Sequence, residues 1–345
     1  MIFGAARSTE GNRMPALLRL AALAFAIAAA AFARAEPLRV MGFGGSSNWA
    51  LFAGEEQGYF RREGLEVDLL SAPGSAEQMR RLMDGRVDIA LTALDNVVAY
   101  REGQAAAPEG ADRDIVAVFG VNRGGRSTLV AAPRIAAIAQ LEGEPIGVDA
   151  LATGYAFVLE EMLARAGLAP DRYRLVSVGG GRARWRALRG GKIAAALLNA
   201  PLDAAAQAAG FRALASSVDV FPRYQGSVGA VRRAWARAHE GELVRFIRAY
   251  VAATDWLRDP ANATQARAIL VERQEGMTAA EARRSYDELI DPAGGSLSPK
   301  AAIDPEGVEA VLRLRSAHAR PPRPVGPPER YYDATYYRRA AEPAR

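Results

Sequence analysis

The sequence has no cysteine among its 345 residues. This absence excludes disulfide bonds, thiolate metal sites, a cysteine nucleophile and a lipid-modified N-terminal cysteine. Histidine is nearly absent too, because the chain has only His239 and His318, and both are predicted to be solvated helix residues. Neither histidine belongs to a metal-ligand spacing, and no G-x-S-x-G motif indicates a hydrolase. We therefore expect no metal, no cofactor and no enzymatic activity.

Long uncharged stretches are also missing, apart from one near the N-terminus. Residues 20–33 form an uncharged run of 14 residues, which three arginines precede and the triplet Ala-Arg-Ala at 33–35 ends. A membrane-spanning helix needs about 20 apolar residues, so this run is too short to be an anchor. The pattern predicts a secretion signal over residues 1–35 and cleavage before Glu36. Met14 is an alternative start, because a complete signal also begins there.

The charge pattern argues against a nucleic-acid partner. The formal net charge is +5, and removing the predicted signal takes away four arginines and one glutamate, which leaves +2. The remaining arginines alternate with acidic residues and form no dense basic block. We therefore expect an exported, periplasmic protein that is a monomer and binds no nucleic acid.

Short apolar strands alternate with helical segments along the chain, which is typical of an α/β fold with parallel strands. Helices are predicted over Trp49 to Gln57 and Thr153 to Arg165, and the pattern turns mostly helical after residue 232. Residues 319–330 form a proline-rich extended segment. The predicted strands are Leu38 to Phe43, Leu65 to Leu70, Val87 to Leu91, Ile115 to Val121, Ile146 to Val148, Arg174 to Val178 and Ile193 to Leu198.

An internal repeat appears when the chain is shifted against itself by 106 positions. Both copies read strand, glycine corner, helix, glycine, strand. The matched pairs include Leu69 with Leu175, Gly74 with Gly180, Leu82 with Leu188, Gly85 with Gly191, Val87 with Ile193 and Leu91 with Leu197. Any two βαβ units can share such spacing, so common origin stays open. If each copy belongs to its own lobe, the corners at Gly74 and Gly180 face each other across a cleft.

Three segments in order carry a family resemblance: "NWALFAGEEQGYFRREGLEVDL", "MDGRVDIALTALDNVVAY" and "GEPIGVDALATGYAFVLEEMLARAGL". They resemble the substrate-binding proteins of ABC importers, in the branch that includes nitrate, taurine, alkanesulfonate and thiamine-pyrimidine-precursor binders. The eukaryotic thiamine-pyrimidine synthases of similar fold carry a cysteine-rich motif, which this chain lacks.

The resemblance implies a two-lobed α/β fold, the type 2 fold of periplasmic binding proteins, with two crossing strands as a hinge. The crossings would lie near Gly120 to Arg126 and near Tyr224 to Val231. The implied organisation is a signal peptide at 1–35, lobe 1 at 36–122, lobe 2 at 123–223, and a second part of lobe 1 with C-terminal helices at 224–345.

Candidate ligand-binding residues follow the predicted strands of the first lobe at their carboxyl ends, where open α/β sheets bind ligands. Glycines in the loop before Trp49 let backbone N–H groups approach a bound molecule. Trp49 either offers a flat apolar face to the cleft or packs beneath it. Asp95 either caps the next helix or points its carboxylate at the ligand. With the first crossing included, the candidates are Gly45, Ser46, Ser47, Asn48, Trp49, Gly74, Ser75, Thr92, Asp95, Asn96 and Asn122.

The second lobe offers a similar set of candidates. A helix is predicted to begin near Thr153, so its first N–H groups and a hydroxyl could meet an anionic or carbonyl group. The candidates in this lobe are Thr153, Gly154, Tyr155, Gly180 and Asn199.

The predicted function is that of a solute-binding protein, which closes on a small molecule and delivers it to an ABC permease and ATPase. A ligand-sensing module for a membrane receptor and an enzyme on the same fold are the alternatives. The ligand stays open at this point. A sulfonate would need several N–H donors and Arg123 or Arg126, whereas a heteroaromatic ligand would need stacking by Trp49 or Tyr155 and an acidic partner such as Asp95.

Overall fold

The computed structural model describes residues 36–44, 48–124, 127–199, 202–291 and 295–342. The predicted signal peptide and three candidate residues, Gly45, Ser46 and Ser47, lie outside the described residues. From Leu38 onward the chain forms one compact unit.

The first lobe is built on a five-stranded mixed sheet. Its strand order is β2-β1-β3-β10-β4, with β1 parallel to β2 and β3, and β10 antiparallel to both of its neighbours. The strands are β1 (Leu38–Gly42), β2 (Val67–Ser71), β3 (Ile89–Ala93), β4 (Ile115–Gly120) and β10 (Ser227–Arg232).

The second lobe repeats this arrangement. Its order is β7-β6-β8-β5-β9, again with three parallel strands followed by an antiparallel one. Its strands are β5 (Ser127–Ala131), β6 (Pro145–Val148), β7 (Arg174–Ser177), β8 (Ala195–Asn199) and β9 (Arg212–Ser216). The predicted two-lobed α/β fold is confirmed.

Helices cover the faces of both sheets and make up most of the chain after β10. In chain order they are α1 (Trp49–Glu56), α2 (Tyr59–Arg62), α3 (Ser75–Met83), α4 (Leu94–Arg101), α5 (Gly154–Arg165), α6 (Gly181–Arg189), α7 (Leu202–Ala208), α8 (Ser217–Val220), α9 (Arg233–Ala238), α10 (Glu240–Arg258), α11 (Ala263–Arg273), α12 (Ala279–Ile290), α13 (Pro305–His318) and α14 (Thr335–Ala341).

The internal repeat is real in the fold. A shift of 106 residues carries α3 onto α6 and β3 onto β8, end to end, and carries β2 onto β7 to within one residue. The repeated units occupy equivalent places in the two sheets.

Three strands, β2, β3 and β8, each begin two residues later than predicted. Strand β3 begins at Ile89, which places Thr92 inside the strand instead of after it. Strand β8 likewise ends at Asn199, so this predicted site residue is the last of its strand. Val87 is apolar because it packs in the core of the first lobe. Asp88 still belongs to the preceding turn, where its Oδ1 accepts from Arg39 Nη2 at 2.6 Å.

The chain passes from one lobe to the other between β4 and β5, and returns between α8 and β10, close to the positions that the resemblance implied. The two segments bind each other through Asn122: its carbonyl oxygen accepts from Gly226 N at 3.0 Å, and its Oδ1 accepts from Ser227 N at 2.9 Å. A Cβ at Gly226 would lie 2.2 Å from Asn122 Oδ1, so only glycine fits between the crossings. Asn122 is therefore a structural residue of the crossings.

One helix serves both lobes. Helix α13 contributes Val308, Val311 and Leu312 to the core of the first lobe, and Leu314 to the core of the second. The segment after it returns to the first sheet, where Ala117 N donates to Tyr331 O at 2.9 Å along the edge of β4. The C-terminal segment therefore covers an edge that would otherwise expose unpaired backbone groups.

Candidate functional site

The carboxylate of Asp95 is buried and held by an arginine from the far end of the chain. Arg315 on α13 donates from Nε to Oδ1 at 2.5 Å and from Nη2 to Oδ2 at 2.6 Å. Asp95 and Arg315 are 3% and 2% exposed. The N-cap of α4 is Ala93, and no side chain caps this helix. The capping prediction for Asp95 is therefore wrong, and both carboxylate oxygens already accept charged hydrogen bonds.

This ion pair lies where the two lobes touch. Arg315 Nη2 also donates to Ala152 O of the second lobe, at 3.1 Å. A Cβ at Gly154 would lie 2.9 Å from Asp95 Cβ and 3.1 Å from Tyr224 Oη. The first residue of α5 therefore rests directly on Asp95, and the carboxylate lies at the positive end of that helix dipole. Two predicted site residues from different lobes, Asp95 and Gly154, are thus in contact.

Polar side chains of the second lobe meet at the end of β8. Asn199 Nδ2 donates to Tyr155 Oη, and Ser127 Oγ donates to Asn199 Oδ1 at 2.9 Å. Thr153 accepts from Ala156 N at 3.3 Å as the cap of α5, and donates to Asp149 Oδ1 at 2.7 Å. The structure therefore brings Tyr155 and Asn199 together as neighbours, and Tyr155 is 38% exposed.

A buried arginine that was not among the predicted site residues lies beneath this face. Arg184 is 6% exposed, and it donates to Leu197 O at 3.1 Å and to Gly179 O at 2.9 Å. Its guanidinium carbon lies 5.8 Å from the centre of the Tyr155 ring. Burial lowers the pKa of Arg184, and the negative charge of Asp149 opposes that shift. In the sequence Arg184 looks like one more solvated charge of an arginine-rich helix.

Trp49 belongs to the core, which decides between its two predicted roles and removes it from the cleft. It is 0% exposed, and its Nε1 donates to Ala266 O at 2.8 Å. Its ring meets Tyr286 edge-on, with centroids 5.7 Å apart. The preceding residue, Asn48, is 5% exposed and fills the space beside Gly42. Trp49 is therefore a structural residue of the first lobe, and Asn48 is buried beside the end of β1.

The remaining candidates fall into two kinds. Thr92 is fully buried, and its Oγ1 accepts from Asn96 Nδ2 at 2.9 Å. At the repeat-related corners, Gly74 (before Ser75) and Gly180, an added Cβ would meet no described heavy atom within 4 Å. Both corners therefore border open space, whereas the Thr92–Asn96 pair is internal to the first lobe.

His318 is not a solvated helix residue, contrary to the prediction. Its Nδ1 lies 3.0 Å from Glu160 Oε2 and its Nε2 lies 3.3 Å from Glu161 Oε2, both on α5. The hydrogen bond to Glu160 raises the pKa of His318, although burial opposes the rise. His239 does remain exposed, beside Glu242.

Within the described residues, no cluster of three or more His, Asp or Glu side chains could hold a metal ion. The part of the chain that the structure describes also has no helix that could cross a bilayer.

Solved structures of similar fold span nearly the same length as this chain. The ligand-binding component of an ABC-type import system from Staphylococcus aureus, with zinc bound, is 14% identical, covers 88% of this chain and 98% of its own, and gives a TM-score of 0.71. The periplasmic aliphatic sulphonate-binding protein of Escherichia coli is 20% identical (87% and 93% covered, TM-score 0.67). The periplasmic nitrate-binding protein of Synechocystis PCC 6803 is 10% identical (88% of both chains, TM-score 0.69).

At these identities the similarity establishes the periplasmic binding protein fold and not the ligand. No curated protein sequence matches the chain. The sequence pattern of the NMT1-like family matches residues 39–271, which is more than half of the chain. With the two repeated sheets and two crossings described above, this match identifies the protein: it belongs to the NMT1-like family.

Proposed function

We propose that this protein is the solute-binding component of an ABC importer and that it captures a small anion between its lobes. The observation that carries the proposal is the convergence of polar groups from both lobes at the carboxyl ends of the two sheets. Asp95 touches Gly154 there, and Tyr155 and Asn199 form a hydrogen-bonded pair. The similar structures named above are binding components of this kind, which supports the same role here.

The charges around the cleft favour an anion over a cation. Arg315 neutralises Asp95, so this carboxylate is not free to bind a cationic ligand. In the second lobe, Arg184 donates to carbonyl groups and lies beneath the exposed ring of Tyr155. Among the described residues no ion pair joins Arg184 to Asp149, the acidic group that acts on its pKa. A buried cation next to hydroxyl and amide groups suits a sulfonate, nitrate or carboxylate.

The proposed mechanism is closure about the two crossings. A ligand that contacts both lobes binds the closed form more tightly and so shifts the population towards it. The closed form would then be recognised by the permease and ATPase subunits in the periplasm. Cleavage before Glu36, a monomeric state and the division into residues 36–122, 123–223 and 224–345 are parts of this proposal.

A thermal-shift screen tests the proposed function. Taurine, alkanesulfonates, nitrate and aromatic carboxylates would be compared with pyrimidines and amines. A ligand at about 100 times its dissociation constant adds about 2.7 kcal/mol to the free energy of unfolding, which is readily detected. We expect at least one anion to stabilise the unmutated protein. The same anion should stabilise Tyr155→Phe less, because this variant loses one hydroxyl. Stabilisation by amines alone would contradict the proposal that the ligand is an anion. If no compound class stabilised the protein, the proposed binding role would be contradicted.

A further inference from the structure

We propose that residues 305–320 form a strap between the lobes, and that Arg315 is its central positioning residue, which holds the lobes together without ligand. The strap comprises helix α13 and the two residues after it. This inference concerns the ligand-free protein, so it stands or falls separately from the proposed function.

The strap begins at the second crossing. Asp304, just before α13, accepts from Arg223 Nη2 at 2.5 Å and from Arg223 Nε at 2.9 Å, and its N donates to Gln225 Oε1 at 2.8 Å. A Cβ at Gly307 would lie 2.6 Å from Gln225 N, so the first turn of the helix packs on the crossing itself. The strap therefore starts where relative motion of the lobes must be smallest.

The middle of the strap is Arg315, whose guanidinium binds both lobes. Three partners share its N–H groups: Asp95 and Gln104 in the first lobe, and Ala152 O in the second. A planar guanidinium can satisfy such a set because its donors point in fixed, divergent directions, whereas an ammonium group cannot copy the fork. Opening of the cleft at Gly154 would break the bond to Ala152 and expose the buried ion pair.

The C-terminal end of the strap binds helix α5 of the second lobe. His318, one turn after Arg315, faces Glu160 and Glu161, and Arg320 also binds Glu160. The side chain of Glu160 is only 3% exposed. Separation of the strap from α5 would therefore leave a buried carboxylate without the two side chains that bind it.

These contacts follow one another along a single element that packs in both cores, through Val311 on one side and Leu314 on the other. The lobes cannot move apart without breaking charged hydrogen bonds at Arg315, or at His318 and Arg320. The chain's own groups, and not only a ligand, therefore stabilise the approach of Gly154 to Asp95. The strap sets how far the empty cleft opens.

Pulsed EPR between two spin labels measures this opening directly. The chain has no cysteine, so Asp68→Cys and Arg174→Cys place one label on each sheet at exposed, repeat-related positions. In the ligand-free protein we expect one narrow distance distribution. Gly154→Ala adds a methyl group against Asp95 and should shift the distribution to longer distances. Its matched control is Gly241→Ala in the first turn of α10, where an added Cβ meets nothing within 4 Å.

Two further variants test the strap itself. Arg315→Lys keeps the positive charge opposite Asp95 but loses the planar set of N–H donors. The double variant His318→Gln/Arg320→Gln weakens the contacts of the strap with Glu160. Each should lengthen or broaden the distribution. A shift in the double variant, with Gly241→Ala unchanged, supports the strap even if Arg315→Lys fails to fold. An unchanged distribution in the double variant, or a broad distribution in the unmutated protein, would overturn it.

Discussion

The two repeated units use the same backbone with different chemistry. In the first lobe, Gln78 on α3 donates to Leu91 O at 3.0 Å and so ties the helix to β3. In the second lobe, Arg184 on α6 donates to Leu197 O at 3.1 Å and ties the helix to β8. The two donors, Gln78 and Arg184, are 106 positions apart, and so are the two acceptors, Leu91 and Leu197. The bond is present in both halves of the molecule, but its donor is a neutral amide in the first and a buried guanidinium in the second.

The polar residues near these two hydrogen bonds also differ between the lobes in charge and exposure. Asp95 of the first lobe is buried and neutralised by Arg315, whereas Tyr155 of the second lobe is 38% exposed. Gln78 is neutral, and Arg184 lies below that exposed ring. The comparison indicates that the first lobe supplies a rigid wall, whereas the second supplies the polar groups that a ligand would meet. Mutations at matched positions should therefore weaken binding more in the second lobe than in the first.

The largest effect is expected at the buried ion pair. Asp95→Asn removes the charge that compensates the buried guanidinium of Arg315, which should lower the free energy of unfolding by about 3–5 kcal/mol. Urea denaturation measures this loss. The double variant Asp95→Leu/Arg315→Met removes both charges and should recover much of the stability. A single variant as stable as the unmutated protein would show that the pair does not hold the first lobe.

The matched variants Gln78→Met and Arg184→Met compare the two ties directly. Each leaves a strand carbonyl without its side-chain donor, so each should cost about 1–3 kcal/mol of stability. Only Arg184→Met should also weaken binding of the anion found by screening, by at least about tenfold or 1.4 kcal/mol. Calorimetric titration gives the affinities. Equal losses of affinity in both variants would remove the proposed distinction between the lobes.

A smaller effect is expected at His318 and should depend on pH. Because Glu160 raises the pKa of His318 above its ordinary value of 6.5, protonation of His318 stabilises the folded state. This contribution is fully present below pH 6.5 and is lost as the pH rises through the higher folded pKa. Glu161 and Arg320 share the same contacts, so His318→Gln should flatten this part of the stability curve without abolishing the strap. Identical pH dependence in both proteins would contradict this role.

The smallest effect on stability is expected at the glycine corners. Gly74→Leu and Gly180→Leu place a side chain in open space, and at neither residue does φ fall in the left-handed region, so each should change stability by less than about 0.5 kcal/mol. Ligand affinity should nevertheless fall, most clearly for Gly180→Leu beside the polar face. Thermal melting and titration separate the two effects. Undiminished affinity in both variants would place the ligand elsewhere.

Much of the fold could be predicted from the sequence, but less of the candidate site could. The repeat could be predicted because strand, glycine corner and helix recur at fixed spacing, and both crossings were implied by the family resemblance. The pair of Asp95 and Arg315 could not, because 220 positions separate the two residues and no local pattern links them. Trp49 shows the same limit: whether a tryptophan at a helix start faces a cleft depends on α11 and α12, which pack over it from much later in the chain.

Arg184 is the exception among the missed residues. Its helix is rich in arginine, so hydrophobic periodicity alone gives no reason to place one of them inside. The shift of 106 positions, however, aligns Arg184 with Gln78, and in the structure each side chain donates to the equivalent strand carbonyl. Comparison of the two halves position by position shows from the sequence only that Gln78 and Arg184 are equivalent, and the burial of both comes from the structure.

Hydrogen–deuterium exchange with and without the anion found by screening tests the central claim, that the ligand binds between the two lobes. The account predicts slower exchange of amides in both lobes, at residues 74–78 and 92–96 in the first and at 153–157 and 180–184 in the second. Protection confined to one lobe, or found only in the surface groove that Arg267 and Val271 of α11 and Arg283 of α12 line, would contradict it.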